Sequence, residues 1–597
     1  MMVSASMPPA CRAPYVFAQV RATVGGGYWN AVAQTTAYGR ATMEGLRGTA
    51  RLDDDLSRGR YAQRFSLSVV GSSAEVDDGT TVWAQDHSGG VHAYDAPFPR
   101  RRAVTSAYLT RRGYLDPRTT ARLTCLGTRV EGNRSVTVIR VQPRGGIPAD
   151  LAIDVQTHLL ASVTERLPIT TSVTTYADYR AVDDVVLPFS IMSGTKAEPA
   201  DGYAVAVTRY RIRSRARDAD FAKPTPANGA RMVGRATSTT VPMLLEGRQL
   251  LVWASIDGRA PMPFILDTGG HAILTTLAAK TLGLRAYGAG ESGGAGSGTI
   301  ALQFARVRSV RIGGAELLDQ PFLVIPYPYS FYERGRKTPL AGILGLEFFE
   351  RYAIRLDYGA RTVTFTPLAT FRSRSRGTRV PFTFQDDMPL VDAAPDGHVG
   401  LFGADTGNAG SLILFGPFLQ RTGLLARYPA GSLLIGHGTG GTNTARRETL
   451  RSFRLGGHRL VDVAAAFTQM TSGSFSSWTE AGNLGFSILS RFVPTFDYAH
   501  QTLSLDHASS VPPTLANLAG LGTAKNGPDA FDVVLVRPNT PSARAGIVAG
   551  DHITAIDGTA ATAFSQADFI TRLGRPGRLT LVVLHGAETR TVPLVLR

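Results

Sequence analysis

Between residues 239 and 507 one pattern is written twice, and this confines the region to two equivalent lobes. In the first copy a turn at Asp257-Gly258 precedes the apolar run Phe264-Ile265-Leu266, which ends in Asp267-Thr268-Gly269. In the second, a turn at Asp396-Gly397 precedes Leu401-Phe402-Gly403-Ala404, which ends in Asp405-Thr406-Gly407. Later landmarks keep register. Arg308 to Gly314 matches Arg451 to Gly457, Gly342-Ile343-Leu344-Gly345 matches Gly482-Asn483-Leu484-Gly485, and Leu356-Asp357-Tyr358 matches Phe496-Asp497-Tyr498. A single Asp-Thr-Gly is a common turn. Two of them inside a coherent repeat are not explained that way. Asp357 and Asp497 also repeat, but each stands before a Thr-led strand and reads as a turn former.

An Asp on a sharp turn after a buried strand points out of its lobe. Gly269 and Gly407 permit the tight backbone path. Thr268 and Thr406 offer hydroxyls that can bond across to the opposite loop. A pseudo-twofold axis between the lobes would bring both carboxyls within a few ångströms. Such a pair shares one proton and titrates as a unit. The ionised member can draw a proton from water while the protonated member bonds to a carbonyl, which is general acid–base hydrolysis of an amide.

With both triplets and the later apolar-apolar-Gly element in place (Ile343-Leu344-Gly345, and Asn483-Leu484-Gly485), the region resembles the retropepsin-like aspartic peptidases in their bacterial two-lobed form. The resemblance implies peptidase activity, Asp267 and Asp405 as catalytic carboxylates, and Thr268, Gly269, Thr406 and Gly407 as loop support. It implies a polypeptide substrate and a single-chain, monomeric active site, with no metal and no organic cofactor. Departures fall at Gly270 and Asn408, where the family often has Ala or Ser, and at Gly403-Ala404, where it has a bulky apolar pair. Gly-rich stretches at Gly288–Gly298 and Gly436–Gly441 match the family's flaps, which open and close over substrate.

The tail, residues 515–597, carries Asn539-Thr540-Pro541-Ser542-Ala543-Arg544-Ala545-Gly546-Ile547 and then Gly550-Asp551-His552-Ile553. It resembles the PDZ domains of bacterial envelope proteases. By that resemblance Gly520, Leu521 and Gly522 form the loop that captures a peptide C-terminus, the peptide adding as a strand. His552 reads as a surface residue. Residues 15–220 alternate polar and apolar positions in short runs such as Arg64–Val70, Val136–Val141 and Tyr203–Ile212, the pattern of an antiparallel sheet. Gly27-Tyr28-Trp29, Trp83 to Gly89 and Asp178 to Pro188 make this segment similar to the periplasmic lipoprotein-carrier fold. Residues 221–238, rich in Ala, Pro, Thr and Gly, read as a linker.

The expected fold class is therefore mainly β: an N-terminal antiparallel sheet module, a two-lobed aspartic-peptidase β-barrel region divided at 239–370 and 371–510, and a C-terminal PDZ domain. Gly 64 and Pro 34 fit so many turns. The formal charge of +16 suggests anionic partners. The arginines are dispersed, however, with no basic run interleaved with stacking aromatics, which argues against nucleic acid. Two cysteines, Cys11 and Cys125, lack metal-ligand spacing and read as a stray residue and a buried thiol. No apolar run is long enough to span a membrane. The first twenty residues lack a clean signal sequence, so either the chain stays inside or its natural start differs. The expected function is an aspartic endopeptidase of the periplasm or exterior. The alternatives are a silent peptide-binding scaffold of the same fold and an envelope carrier of an apolar ligand.

Overall fold

In the computed structural model, strand dominates from Gln34 onward. The structure describes residues 12–195, 202–227, 229–246, 248–326, 339–428, 432–511, 517–525 and 529–597. These form two compact units, the first running to Ala227 and the second consisting mainly of the chain from Gly229 on.

The first unit holds a 13-stranded antiparallel sheet. From Val91–Tyr94 at one edge the strands step back to Gln34–Met43, which pairs with Tyr203–Arg213. The order then steps back again to Arg122–Glu131 at the far edge. The helix Ala13–Thr23 buries Ala13, Val16, Phe17 and Val20. That spacing forms one apolar stripe, and it packs with Ile139, Val141 and Leu151 of the sheet and Tyr108 of the helix Pro97–Thr110. Several arginines here are paired: Arg51 reaches both Asp53 and Asp220, and Arg60 reaches Asp55. Cys125 is disulfide-bonded and half-buried, which corrects the reading of it as a buried thiol. Cys11 lies outside the described residues.

In the second unit the first lobe's sheet runs in the order Ala230–Met232, Ala315–Ile325, Ile273–Thr275, Gly342–Leu344, Met262–Leu266, Gln249–Ile256 and Ile300–Ile312. Ala230–Met232 pairs with Ala315–Leu317, so part of the stretch read as linker is a strand. The second lobe repeats the central order with Leu412–Leu414, Gly482–Leu484, Gly400–Ala404 and Met388–Pro395. The lobes are joined through Tyr352–Asp357 and Phe492–Asp497, where Ile354 faces Phe496 and Arg355 faces Thr495. Phe349 packs on Phe496 and Tyr498 behind this join, with ring centroids 5.5 Å apart in each case. The last sheet contains Leu521–Ala524, Phe531–Val536, His552–Ile556, Gly577–His585 and Glu588–Leu596 in that order. Its core includes Phe531, Ile553, Leu581 and Phe569, the last from the helix Gln566–Leu573, whose start is closed by a Ser565–Asp568 capping box. Among the described residues no helix is long and apolar enough to cross a membrane.

Candidate active site

Each Asp-Thr-Gly follows a strand that runs parallel to its lobe's later apolar-apolar-Gly strand. Ile265 faces Ile343 in the first lobe, and Gly403 faces Asn483 in the second. The ladders continue one residue further, since Asp267 N–H donates to Leu344 O at 2.9 Å and Asp405 N–H to Leu484 O at 3.1 Å. The glycines that close these elements are required by contact. A Cβ on Gly345 would stand 1.8 Å from Gly270 O, and one on Gly485 would stand 2.5 Å from Asn408 Cγ. The later motif thus sits directly behind each catalytic-type loop.

The two loops are locked to each other by their threonines. Thr268 N–H donates to Thr406 Oγ1 (3.0 Å) and Thr406 N–H donates to Thr268 Oγ1 (2.9 Å). Each hydroxyl then donates onward across the axis, Thr268 to Ala404 O at 2.6 Å and Thr406 to Leu266 O at 2.8 Å. Both threonines are buried. Four backbone groups are thus satisfied by two side chains, and Gln249 Nε2 adds a bond to Gly407 O at 3.1 Å.

This lock sets the carboxyls of Asp267 and Asp405 beside each other, close enough for each to act on the other's proton. Gly407 makes the approach possible: a Cβ there would stand 2.3 Å from the Asp267 Cγ. Gly269 N–H donates to Asp267 Oδ1 at 2.8 Å. Burial, and then the neighbouring Asp405 charge, push the Asp267 carboxyl well above the usual range. Burial also raises Asp405, against the pull of Asn483, of Asp267 and of the N–H groups of Asn408 and Gly407. Two carboxyls placed this way favour holding one proton between them, and the arrangement can take a proton from water and give one to a carbonyl.

Three residues at the site were not singled out as functional by sequence reasoning. Asn483 Nδ2 donates to Asp405 Oδ2 at 2.7 Å, and Asn408 Nδ2 donates to Asn483 Oδ1 at 2.7 Å. His271, beside the first loop, bridges Glu347 (3.1 Å) and Asp387 (2.9 Å), and Ala272 N–H donates to the same Glu347 oxygen at 3.0 Å. Burial opposes the imidazolium, but Asp387 and Glu347 outweigh it and hold the His271 pKa well above the ordinary value. The only sequence signal for the asparagines is that both stand in the second copy of the repeat, where the first has Gly270 and Ile343. His271 offered none.

The two Gly-rich stretches meet. Gly296 N–H donates to Thr439 O (2.8 Å), Gly298 N–H to Gly440 O (2.9 Å), and Ser474 N–H to Gly294 O (2.9 Å). Asp357 and Asp497 each accept a turn N–H, from Ala360 and His500 respectively. His552 is exposed and bonded to Asp532.

In the tail, Gly520 has a left-handed φ of +79°, and its N–H donates to Asn517 Oδ1 at 2.9 Å. It therefore does not offer the free N–H expected of it. Leu521 opens the edge strand, where its carbonyl accepts from Asn517 Nδ2 at 2.6 Å, and Gly522 faces Leu535 of the neighbouring strand. Thr523 O accepts from Gln566 Nε2 at 2.8 Å.

Residues 252–348 match the family model described as aspartyl protease, and residues 533–584 match that described as PDZ domain. The first match spans Asp267 through Gly345, one lobe of the two. Recognisably, then, the chain carries a retropepsin-like aspartic peptidase region followed by a PDZ domain. Among solved structures, it is similar to a putative outer membrane lipoprotein-sorting protein domain from Vibrio parahaemolyticus at 11% identity, covering 35% of this chain and 97% of that one with a TM-score of 0.26. A LolA superfamily protein from Nitrosomonas europaea shows 10% identity, the same coverages and a TM-score of 0.26. A retropepsin-like aspartic protease from Rickettsia conorii shows 20% identity, covers 23% of this chain and 97% of that one, and has a TM-score of 0.17. At these scores the three likenesses carry no weight for fold or function. No curated protein matches the chain.

Proposed function

We propose that this chain, with its aspartic peptidase region and PDZ domain, is an endopeptidase that hydrolyses extended protein segments at Asp267 and Asp405. The observation that supports this most is the pairing of the two half-buried carboxyls, held side by side by the reciprocal threonine bonds. A water bound between the carboxyls loses a proton to the ionised one as its oxygen attacks the scissile carbonyl carbon. The protonated one bonds to the carbonyl oxygen and offsets the charge that develops there. The proton taken up is then delivered to the leaving nitrogen, so no covalent intermediate forms. The paired Gly-rich stretches, opening to admit a strand and closing over it, exclude water from the reaction.

On this reading the active site is complete in one chain. The PDZ domain selects substrates by a peptide terminus laid along the edge strand Leu521–Ala524. A disulfide at Cys125 is in keeping with an oxidising compartment, and so with a periplasmic or secreted location.

The test is cleavage of an unstructured protein across acid to neutral pH by the full chain and by Asp267→Asn and Asp405→Asn. Each substitution is expected to lower turnover by about 10²- to 10⁴-fold or more. Equal activity in all three would remove the peptidase assignment from this pair. No cleavage by any, with the fold intact, would favour the silent peptide-binding scaffold.

A further inference from the structure

The two halves of the dyad are not equivalent, and the difference is built from two residues of one lobe. In the first lobe the residue paired with Ile265 behind the loop is Ile343, and the position three after Asp267 is Gly270. Neither side chain can donate a hydrogen bond. In the second lobe the same places hold Asn483 and Asn408.

The orientation of both amides follows from one unambiguous donor. Gly410 N–H donates to Asn408 at 2.8 Å, so the atom it meets is the Asn408 oxygen. The Asn408 nitrogen therefore faces the other way, where it finds Ser411 O at 3.2 Å and Asn483 at 2.7 Å. Asn483 must meet that nitrogen with its oxygen. Its own nitrogen is then directed at Asp405 Oδ2, 2.7 Å away. An amide NH₂ can only donate. Asn408 also donates its backbone N–H to Asp405 Oδ1 at 3.0 Å. Both oxygens of Asp405 thus receive a donor from their own lobe. Asp267 receives the Gly269 N–H on one oxygen and is also reached by the Gly407 N–H, but among the described residues it has no side-chain amide from its lobe.

We propose that Asn483, oriented by Asn408, fixes where the shared proton resides: Asp405 is the carboxylate that draws the proton from water, and Asp267 is the carboxylic acid that meets the substrate carbonyl. Asn483 is buried, so its hydrogen bond acts where a charge-assisted donor counts most. Asn483 and Asn408 are positioning residues here, since neither is assigned a contact with substrate. The assignment rests on the peptidase reading, yet it can be tested apart from it.

The first measurement is the pH profile of kcat/KM for the full chain acting on an unstructured protein. Its acid limb reports ionisation of the base, and its alkaline limb reports loss of the proton from the acid, both as properties of the coupled pair. Asn483→Leu is expected to raise the acid limb by about one pH unit, the worth of a hydrogen bond to a charged group. Asn408→Gly, which copies the first lobe, should raise it less, by freeing the Asn483 amide to turn. Ile343→Asn, the mirror change, should lower the alkaline limb. The second measurement is NMR titration of ¹³Cγ-labelled aspartate in the full chain, with the two signals identified by Asp267→Asn and Asp405→Asn. It needs no activity. In the wild type the Asp405 carboxyl should ionise at lower pH than that of Asp267, and in Asn483→Leu the gap should narrow. Were Asn483→Leu not to fold, Asn408→Gly gives the same reading. Simultaneous or reversed ionisation in the wild type, or limbs and signals unmoved by Asn408→Gly and Ile343→Asn, would overturn the proposal. Ordered titration without cleavage would uphold the placing of the proton by Asn483 and sink the peptidase reading, and with it the two catalytic roles.

Discussion

The lobe that carries Asp267 and the lobe that carries Asp405 agree in backbone and differ in what lies against their carboxyls. Both have the strand, the triplet, the parallel strand behind it and a glycine forced by the passing loop. Their threonines exchange hydrogen bonds almost symmetrically. Yet the second lobe surrounds its carboxyl with asparagine amides. Beside the first loop stands instead an ionic bridge of His271 and Glu347 with Asp387 of the second lobe, where the second loop has Ala409 and Ser487 at the places of His271 and Glu347. What must be equal to bring the loops together has stayed equal. What sets the properties of each carboxyl has not.

The comparison breaks most sharply at the glycines of the two triplets. Gly407→Ala places a methyl against the Asp267 carboxyl, whereas Gly269→Ala meets the mobile end of Met388, 2.5 Å from its Cε. Misplacing one carboxyl should cost about 10²-fold in kcat, and the Gly269 change should cost several-fold less. Equal losses would mean that the close approach at Gly407 does not matter. The threonines should show the lobes at their most alike. Thr268→Val and Thr406→Val each strand a buried N–H and a buried carbonyl, and each should destabilise by about 2–3 kcal/mol in denaturant unfolding. Because they break one network, the double change should cost less than the sum. Single costs that differ by more than about 1 kcal/mol would show that the lock is not shared evenly.

The smallest effect is expected at His271, and it depends on pH. The folded-state pKa of this histidine is raised. Its contribution to stability is therefore fully present below the ordinary imidazole value, about 6.5, and is lost as pH rises through the raised folded value. The thermal stability lost in His271→Phe should be greatest in acid and should shrink toward alkaline pH. A deficit independent of pH would mean that His271 serves by packing alone. The equivalent change in the second lobe, Ala409→Phe, has no such dependence to reveal.

The repeat was legible because strand, turn and glycine are local demands that the backbone makes at the same interval twice. The asparagines were not, because each was read alone. Asn408 looked like a missing Ala or Ser, and Asn483 like a weakened apolar position. Only the parallel ladder, in which Gly403 faces Asn483, puts them in contact across the length of the lobe. His271 was invisible for a similar reason, as its partners come from Glu347 and Asp387, far along the chain. The strand Ala230–Met232 escaped notice because three residues are too few for an alternation to be read. At Gly520 nothing in the sequence signals that Asn517, three residues earlier, takes up its N–H.

The two lobes belong to one covalent chain, and the pairing of Ile354 with Phe496 joins their sheets. In an assembly of two identical chains, any residue behind one carboxyl would stand behind the other as well, and an asparagine donor would appear twice and cancel. Here a single codon changes a single half. The second half was thereby free to acquire amides, and the first its His271 and Glu347, without either being copied onto its twin. Continuity of the chain from one lobe to the other is what lets the two halves inherit their changes separately.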